Sequence, residues 1–107
     1  MAILAPQGEL DLAGVETLLS YVDWLLRGGQ LVLAIDLRGL TFMDASGVHA
    51  LITAGRRCEA RGRRFTVIRG GRQIDRLLAA CGLDGYFDMV SDLDRLPDGE
   101  LTAAAGL

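Results

Sequence analysis

Three side chains capable of chemistry stand close together in the stretch Asp44-Ala45-Ser46-Gly47-Val48-His49. A serine hydrolase needs a histidine within hydrogen-bond reach of the serine, a third group that holds the histidine, and an oxyanion hole. Ser46 and His49 are three residues apart on a predicted helix, and side chains that rise from one helix rarely reach that geometry. The flanking residues also lack the Gly-x-Ser-x-Gly pattern of a nucleophile elbow. We therefore predict that the chain is not an enzyme and that His49 is a solvated surface residue.

Ser46 fits a different role, because the apolar periodicity that begins at Val48 indicates the start of a helix. Serine is a strong N-cap residue, and the amides and partial positive charge of a helix N-terminus stabilise a bound phosphate. Phosphorylation would add about 1.5 to 2 negative charges beside Asp44 and would repel a partner fitted to the neutral surface. Gly47 leaves the first turn open to such a partner. Two interpretations remain open for Ser46: a regulatory site and a plain helix cap.

The elements that would position these residues alternate between strands and helices. A continuous apolar run, Leu31 to Leu37, is typical of a central strand buried on both faces. The other predicted segments are a strand at Ile3 to Gln7, a turn at Gly8 to Asp11, a helix at Gly14 to Arg27, a loop at Arg38 to Ala45, a helix at Ser46 to Arg61, a strand at Phe65 to Arg69, a helix from Ile74 to Cys81, a strand at Tyr86 to Val90 and a last helical segment capped by Ser91 or Asp92. This order predicts one α/β domain over residues 1–107, with four helices and 97–107 as a frayed helical tail.

Composition limits the classes of function that the chain can have. Its 107 residues carry a net charge of -3, and 50% are hydrophobic, which is typical of one globular domain. The basic run from Arg56 to Arg64 lacks interleaved aromatic residues, so it indicates a solvated helix end and not a nucleic-acid surface. No apolar run approaches the ~20 residues that span a bilayer, and the first residues lack a signal-peptide pattern. We expect a cytoplasmic protein without membrane insertion.

The two cysteines, Cys58 and Cys81, have the spacing of neither a zinc site nor a redox motif. Both fall on apolar helix faces, so we expect buried free thiols, and we expect no metal and no cofactor. Tyr21 and Trp24 form a second notable pair on the first helix, where Trp24 lies nearly opposite the apolar stripe. The pair indicates a dimer or partner interface, unless sheet or tail packs over both faces of this helix.

The stretch Ile35-Asp36-Leu37-Arg38-Gly39-Leu40-Thr41-Phe42-Met43-Asp44-Ala45-Ser46-Gly47-Val48 resembles the signature of the STAS family. In that family a strand ending in Asp-Leu leads to an Asp-Ser-Ser/Thr-Gly loop that opens a helix. Gly8-Glu9-Leu10-Asp11-Leu12-Ala13 is similar to the loop before the family's first helix. Leu77-Leu78-Ala79-Ala80-Cys81-Gly82-Leu83, followed by Phe87, resembles the family's third helix and its exit. Together the three motifs cover most of the chain from Gly8 to Val90.

The resemblance implies a STAS-like fold with a mixed four- or five-stranded sheet. It also implies an antagonist that sequesters an anti-sigma factor of the GHKL-kinase type and is controlled by serine phosphorylation. The implied contact face comprises Asp11, Met43, Asp44, Ser46, Gly47 and His49. An alternative is a STAS accessory subunit that binds the ATPase of an ABC transporter. Two departures stand out: Ala45 occupies the usual acceptor place, and the shortened N-terminal strand would leave a sheet edge exposed or covered by a partner.

Overall fold

A computed structural model of the chain describes residues 1–83, 85–91 and 102–104. The elements in chain order are β1 (Ala2–Leu4), β2 (Gly8–Leu10), α1 (Leu12–Leu26), β3 (Val32–Asp36), β4 (Leu40–Met43), α2 (Ala45–Ala60), β5 (Arg64–Ile68), α3 (Arg72–Ala80), β6 (Met89–Val90) and β7 (Thr102–Ala104). The predicted α/β class is confirmed, with three helices in the described part of the chain. The fourth predicted helical segment, which would start at Ser91 or Asp92, falls outside the described residues.

The main sheet has five strands in the order β6-β5-β3-β1-β7, so the predicted central position of β3 is confirmed. We expected a mixed sheet, but every strand pairing among the described residues is parallel. Parallel sheets are normally covered on both faces, in agreement with the near-complete burial of Leu33, Ala34 and Ile35. Successive side chains of β3 therefore contribute to two different apolar clusters.

The larger apolar cluster lies between the main sheet and the helices. Leu18 and Val22 of α1 and Leu51 of α2 pack against strand residues such as Leu4 and Ile35, and all five are fully buried. A smaller cluster of Ile3, Ala34 and Ile68 occupies the opposite face of the sheet. Fully burying one such aliphatic side chain contributes about 1.5 to 3 kcal/mol, so this packing holds both helices in a defined position against the sheet.

Two short strands lie where a turn and a loop were expected. The predicted turn at Gly8 to Asp11 contains β2, the predicted loop at Arg38 to Ala45 contains β4, and the two strands pair in parallel. Strands of three and four residues carry too little alternation to be recognised locally, and their pairing joins segments more than 30 residues apart. These corrections matter because the strand pair leads directly into α1 and α2.

The chain ends also differ from expectation. The edge of β1 was expected to be exposed or covered by a partner, but β1 pairs with β3 on one side and with β7 on the other. Thr102 to Ala104 form a strand within the segment predicted as a frayed helix. The pairing with β1 uses backbone groups and needs no particular side chain, so the sequence does not indicate it. Cys81 was expected to be buried but is exposed, because α3 ends at Ala80 and Cys81 is its C-cap.

The basic run is used mostly for contacts within the domain. Arg57 pairs with Asp23 of α1 at 2.9 Å, and Arg64 pairs with Asp88 at 2.7 Å. Arg61 donates to the backbone carbonyl of Leu26 at 3.2 Å, and Arg63 donates to that of Gln30. These partly exposed contacts each contribute little stability, but they tie the end of α2 and the start of β5 to the end of α1, to the residues that follow it and to Asp88, which precedes β6.

Candidate functional site

The β2–β4 pair brings the start of α1 and the start of α2 side by side. Leu10 is the register partner of Met43, so the next residues, Asp11 and Asp44, follow neighbouring parallel strands at the same edge. The Asp44 amide also donates to the Leu10 carbonyl at 3.4 Å. Two residues that are 33 positions apart in sequence therefore stand together at two adjacent helix N-termini.

Both aspartates act as N-caps. The Ala13 amide donates to Asp11 Oδ1 at 3.0 Å, while Asp44 Oδ1 accepts from the Ser46 amide at 2.9 Å and from the Gly47 amide at 3.4 Å. Both capping residues have extended backbone conformations, as N-cap residues normally do. Their carboxylates also lie at the positive ends of the two helix dipoles, which favours negative charge at this position.

The prediction that Ser46 caps the second helix is wrong. The helix starts at Ala45, so Ser46 is its second residue and Asp44 takes the cap. Aspartate accepts first-turn amides as well as serine does, and one residue's difference in the helix start decided between them. The Ser46 side chain is half-exposed, and its hydroxyl has no hydrogen-bond partner among the residues that the structure describes. The hydroxyl is therefore available to an external partner.

Met43 and Gly47, both predicted to belong to the contact face, are buried. A Cβ atom on Gly47 would lie 2.4 Å from Met43 Cγ and 2.8 Å from the Leu10 carbonyl oxygen, closer than real Cβ atoms come. Glycine is thus required for the first turn of α2 to pack directly against the strand pair. The two residues support the face from beneath and offer little side-chain surface of their own.

Two exposed apolar side chains adjoin this site and were missed in the sequence analysis. Leu12 is 75% exposed directly after Asp11, and Phe42 is 47% exposed two residues before Asp44. Their position beside the two motif aspartates was the available signal. His49 is exposed, as predicted, and Asp11 and Asp44 are half-exposed. The surface therefore combines apolar side chains with carboxylates, a hydroxyl and an imidazole.

Ser46 and His49 make no hydrogen bond to each other within the part of the chain that the structure describes. The described residues also contain no cluster of three or more His, Cys, Asp or Glu side chains that could hold a metal ion.

Asp36 and Arg38 shape the turn that leads from β3 into β4. The Asp36 carboxylate accepts from the Arg38 amide at 3.0 Å, from its Nε at 3.0 Å and from its Nη2 at 2.9 Å. Burial opposes ionisation of Asp36, but the hydrogen bonds and charge of Arg38 together outweigh it and lower the pKa of the carboxyl group. The ionised pair holds the backbone at the end of β3, where the chain turns towards the site.

The aromatic pair of α1 lies away from the two N-termini. Trp24 is 59% exposed, whereas Tyr21 is half-buried and packs against the main core. Trp24 follows Leu12 by 12 residues, which corresponds to about 18 Å along a helix. The structure thus exposes Trp24, as predicted, on a surface distinct from the one around Ser46.

A sequence model of the STAS domain matches residues 1–96. The chain belongs to the STAS-domain family. A comparison with curated protein sequences gave no significant match. In the described part of this STAS domain, no helix combines the length and apolar character needed to cross a bilayer.

Several solved structures share the fold. An anti-sigma factor antagonist from Mycobacterium paratuberculosis is 22% identical, with a TM-score of 0.74 over 86% of this chain and 80% of the antagonist. The anti-sigma factor antagonist SpoIIAA, in its unphosphorylated form, is 20% identical, with a TM-score of 0.65 over 85% and 80%. The STAS domain of a SulP transporter from Vibrio cholerae is 17% identical, with a TM-score of 0.68 over 87% and 74%. These likenesses are likenesses of fold.

Proposed function

We propose that this STAS domain is a cytoplasmic protein-binding switch that sequesters an anti-sigma factor of the GHKL-kinase type and carries out no catalytic step. The observation that carries the proposal is the pair of helix N-termini that β2 and β4 hold together, with Ser46 in the first turn of α2 and the exposed Leu12 and Phe42 next to the two capping aspartates in sequence. Two of the solved structures that share the fold are anti-sigma factor antagonists, which supports this choice of partner.

The proposed contact face has the composition of a protein interface. Leu12 and Phe42 supply apolar area, while Asp11, Asp44 and His49 supply a polar rim. The remaining members, Ser46, Met43 and Gly47, contribute the hydroxyl and the close packing beneath it. Because both caps hold their carboxylates by backbone hydrogen bonds, the face is preorganised and loses little conformational freedom on binding.

Phosphorylation of Ser46 is the proposed means of control. A phosphate there would stand at the N-terminus of α2, where the helix dipole stabilises negative charge, so the fold would tolerate it. The Asp44 carboxylate already accepts the Ser46 amide, so the added phosphate would concentrate negative charge in the middle of the contact face. A partner fitted to the neutral hydroxyl would then lose affinity. Ser46 is the proposed acceptor although Ala45 occupies the place where the family usually carries one.

The alternative partner is the ATPase of an ABC transporter, with this chain as an accessory subunit. The STAS domain of a SulP transporter shares the fold, which supports a transporter-associated role in general but not an ATPase in particular. The two functions differ in the partner and not in the surface, so an interaction experiment separates them.

The test is to capture partners from a lysate of the source cells on immobilised protein, and to identify them by mass spectrometry. We expect a GHKL-type kinase in the eluate; recovery of an ABC-type ATPase instead would favour the alternative. The affinity of the purified partner is then measured for the parent, Ser46→Asp, Phe42→Ala and Ala60→Asp. Ala60→Asp is the matched control, because it adds the same charge at the opposite end of α2, about 21 Å away.

We expect Ser46→Asp and Phe42→Ala each to weaken binding about tenfold or more, and Ala60→Asp to have little effect. Equal affinity of the parent and Ser46→Asp would contradict the assignment of the face. Incubation with the cognate kinase and ATP, followed by intact-mass measurement of the parent and Ser46→Ala, tests phosphorylation separately. A phosphate that is added equally to both proteins would place the modification elsewhere.

A further inference from the structure

The outer side of α1 carries a continuous exposed surface that the proposed switch does not use. It consists of Glu16, Thr17, Ser20, Trp24 and Arg27, which we call the α1 outer face. These residues recur at helical spacing opposite the buried Leu18, Val22 and Leu25. Trp24, at 59% exposed, is the one large aromatic side chain among these five otherwise polar residues.

The α1 outer face has a protrusion and a recess next to each other. Trp24 borders a shallow hollow of about 600 Å³, whose other lining residues are Glu16, Thr17, Ser20 and Tyr21. Threonine and serine leave the middle of the hollow low, while the indole stands above it. A surface with a large side chain at one end and a recess at the other can fit a rotated copy of itself.

We propose that the occupant of this face is a second copy of the chain, bound through an antiparallel pairing of the two α1 helices. In such a pair, residues that face each other are equally spaced on either side of the two-fold axis. An axis between residues 21 and 22 places Trp24 of one copy over the Thr17–Ser20 hollow of the other. The same axis places Glu16 opposite the partner's Arg27. One register therefore satisfies the shape and the charge of the face together.

The charges of α1 support a partner at this face. Glu16 and Arg27 have no ion pair within the part of the chain that the structure describes. Asp23, on the side of α1 that faces α2, is by contrast engaged with Arg57 at 2.9 Å. Antiparallel pairing would give Glu16 and Arg27 two symmetric ion pairs at the ends of the interface, with the two indoles inside them. Charged residues at the rim and an aromatic centre are typical of specific interfaces.

The size of the contact sets the expected affinity. The contact is confined to one pair of 15-residue helices, and small contacts are typical of weak, transient association, so we expect a reversible dimer. The α1 outer face begins at Glu16, one helical turn after Leu12, so it adjoins the proposed contact face but shares no residue with it.

Sedimentation equilibrium tests the proposal at protein concentrations from about 1 to about 500 μM, a range that brackets micromolar affinity. We expect the parent to pass from monomer to dimer across this range. Trp24→Ala should raise the dissociation constant at least tenfold, as expected for a central aromatic residue. Tyr86→Ala is the matched control, because Tyr86 is another exposed aromatic residue, at 57%, outside α1.

Charge reversal tests the register. Glu16→Arg and Arg27→Glu should each raise the dissociation constant several-fold, since each places like charges together, and the double variant should return it to within about twofold of the parent. The four substituted residues, Glu16, Trp24, Arg27 and Tyr86, are all exposed, so circular dichroism should show that the variants fold like the parent. A parent that remains monomeric at the highest concentration, or a dimer unaffected by Trp24→Ala, would overturn the proposal. Failure of the double variant to recover would overturn the antiparallel register.

Discussion

The capping arrangement at the start of α2 predicts that two neighbouring substitutions have different effects on stability. Asp44→Ala removes the side chain that accepts the Ser46 and Gly47 amides. Ser46→Ala removes a hydroxyl that has no partner among the described residues. The two positions share one turn of the structure, so differences in their surroundings are small and the comparison isolates the cap.

The expected free energies follow from these contacts. Loss of an aspartate N-cap costs about 1 kcal/mol, and loss of its charge at the helix dipole costs a further 0.3 to 1 kcal/mol or so. Asp44→Ala should therefore lower the free energy of unfolding by about 1 to 2 kcal/mol. Asp44→Asn keeps an oxygen that accepts the first-turn amides, so it should lose only the charge–dipole contribution of about 0.3 to 1 kcal/mol. Ser46→Ala should be neutral or stabilising by a few tenths of a kcal/mol, roughly the difference in helix propensity.

Chemical denaturation at pH 7, with thermal melting as a second readout, measures the series. For a domain of this size, about 1 kcal/mol corresponds to roughly 4 to 8 °C in melting temperature, so the predicted loss is well resolved. Amide hydrogen exchange at residues 46 and 47 should accelerate in Asp44→Ala and remain unchanged in Ser46→Ala. If Ser46→Ala is as destabilising as Asp44→Ala, the serine is the cap and the reasoning fails.

Three further predictions follow from buried or crowded groups. Gly47→Ala should destabilise the domain by about 1 to 3 kcal/mol, because its Cβ would lie 2.8 Å from a backbone oxygen; an unchanged denaturation midpoint would contradict this close packing. Burial raises the pKa of the Cys58 thiol to about 11, so at pH 8 a thiol reagent should modify the exposed Cys81 quickly and Cys58 only on unfolding, as peptide mapping would show. The pKa of Asp36 is lowered in the folded state. The ionised carboxylate should therefore make its full contribution to the free energy of unfolding above the usual pKa of 3.8, and this contribution should disappear as the pH falls through the lower pKa of the folded state. Denaturation of the parent and Asp36→Asn should therefore differ most near neutral pH and converge in acid, and a constant difference would exclude this linkage.

Local sequence patterns were sufficient to predict the longer helices and the central strand. The apolar stripe of α1, the continuous run of β3 and the periodicity of α2 each depend on a repeat that is visible within one segment. These elements appear close to their predicted bounds, and β3 is central. The short strands β2, β4 and β7 were not predicted, because a strand of three or four residues is stabilised by its distant partner and not by its own sequence.

The candidate site was also predicted only in part from the sequence. The motif around Asp44 and Ser46 was evident in the sequence, but which of the two caps α2 depended on a difference of one residue in the helix start. Burial of Met43 and exposure of Phe42 were also not predictable from their adjacent positions. Their orientations are determined by the pairing of β4 with β2 and by the packing of Gly47 against Leu10.

By itself, the sequence determined the α/β class, the three described helices, the buried central strand and the membership of Asp11, Asp44 and Ser46 in one motif set. Helical and strand periodicity, together with residue types that cap helices, act over a few residues and can be read directly. Only the tertiary structure decided that Asp11 and Asp44 stand side by side, that the Ser46 hydroxyl has no hydrogen-bond partner among the described residues, and that Leu12 and Phe42 are exposed. Those facts depend on pairing between segments more than 30 residues apart, which hydrogen bonding and close packing select together and which no local window contains.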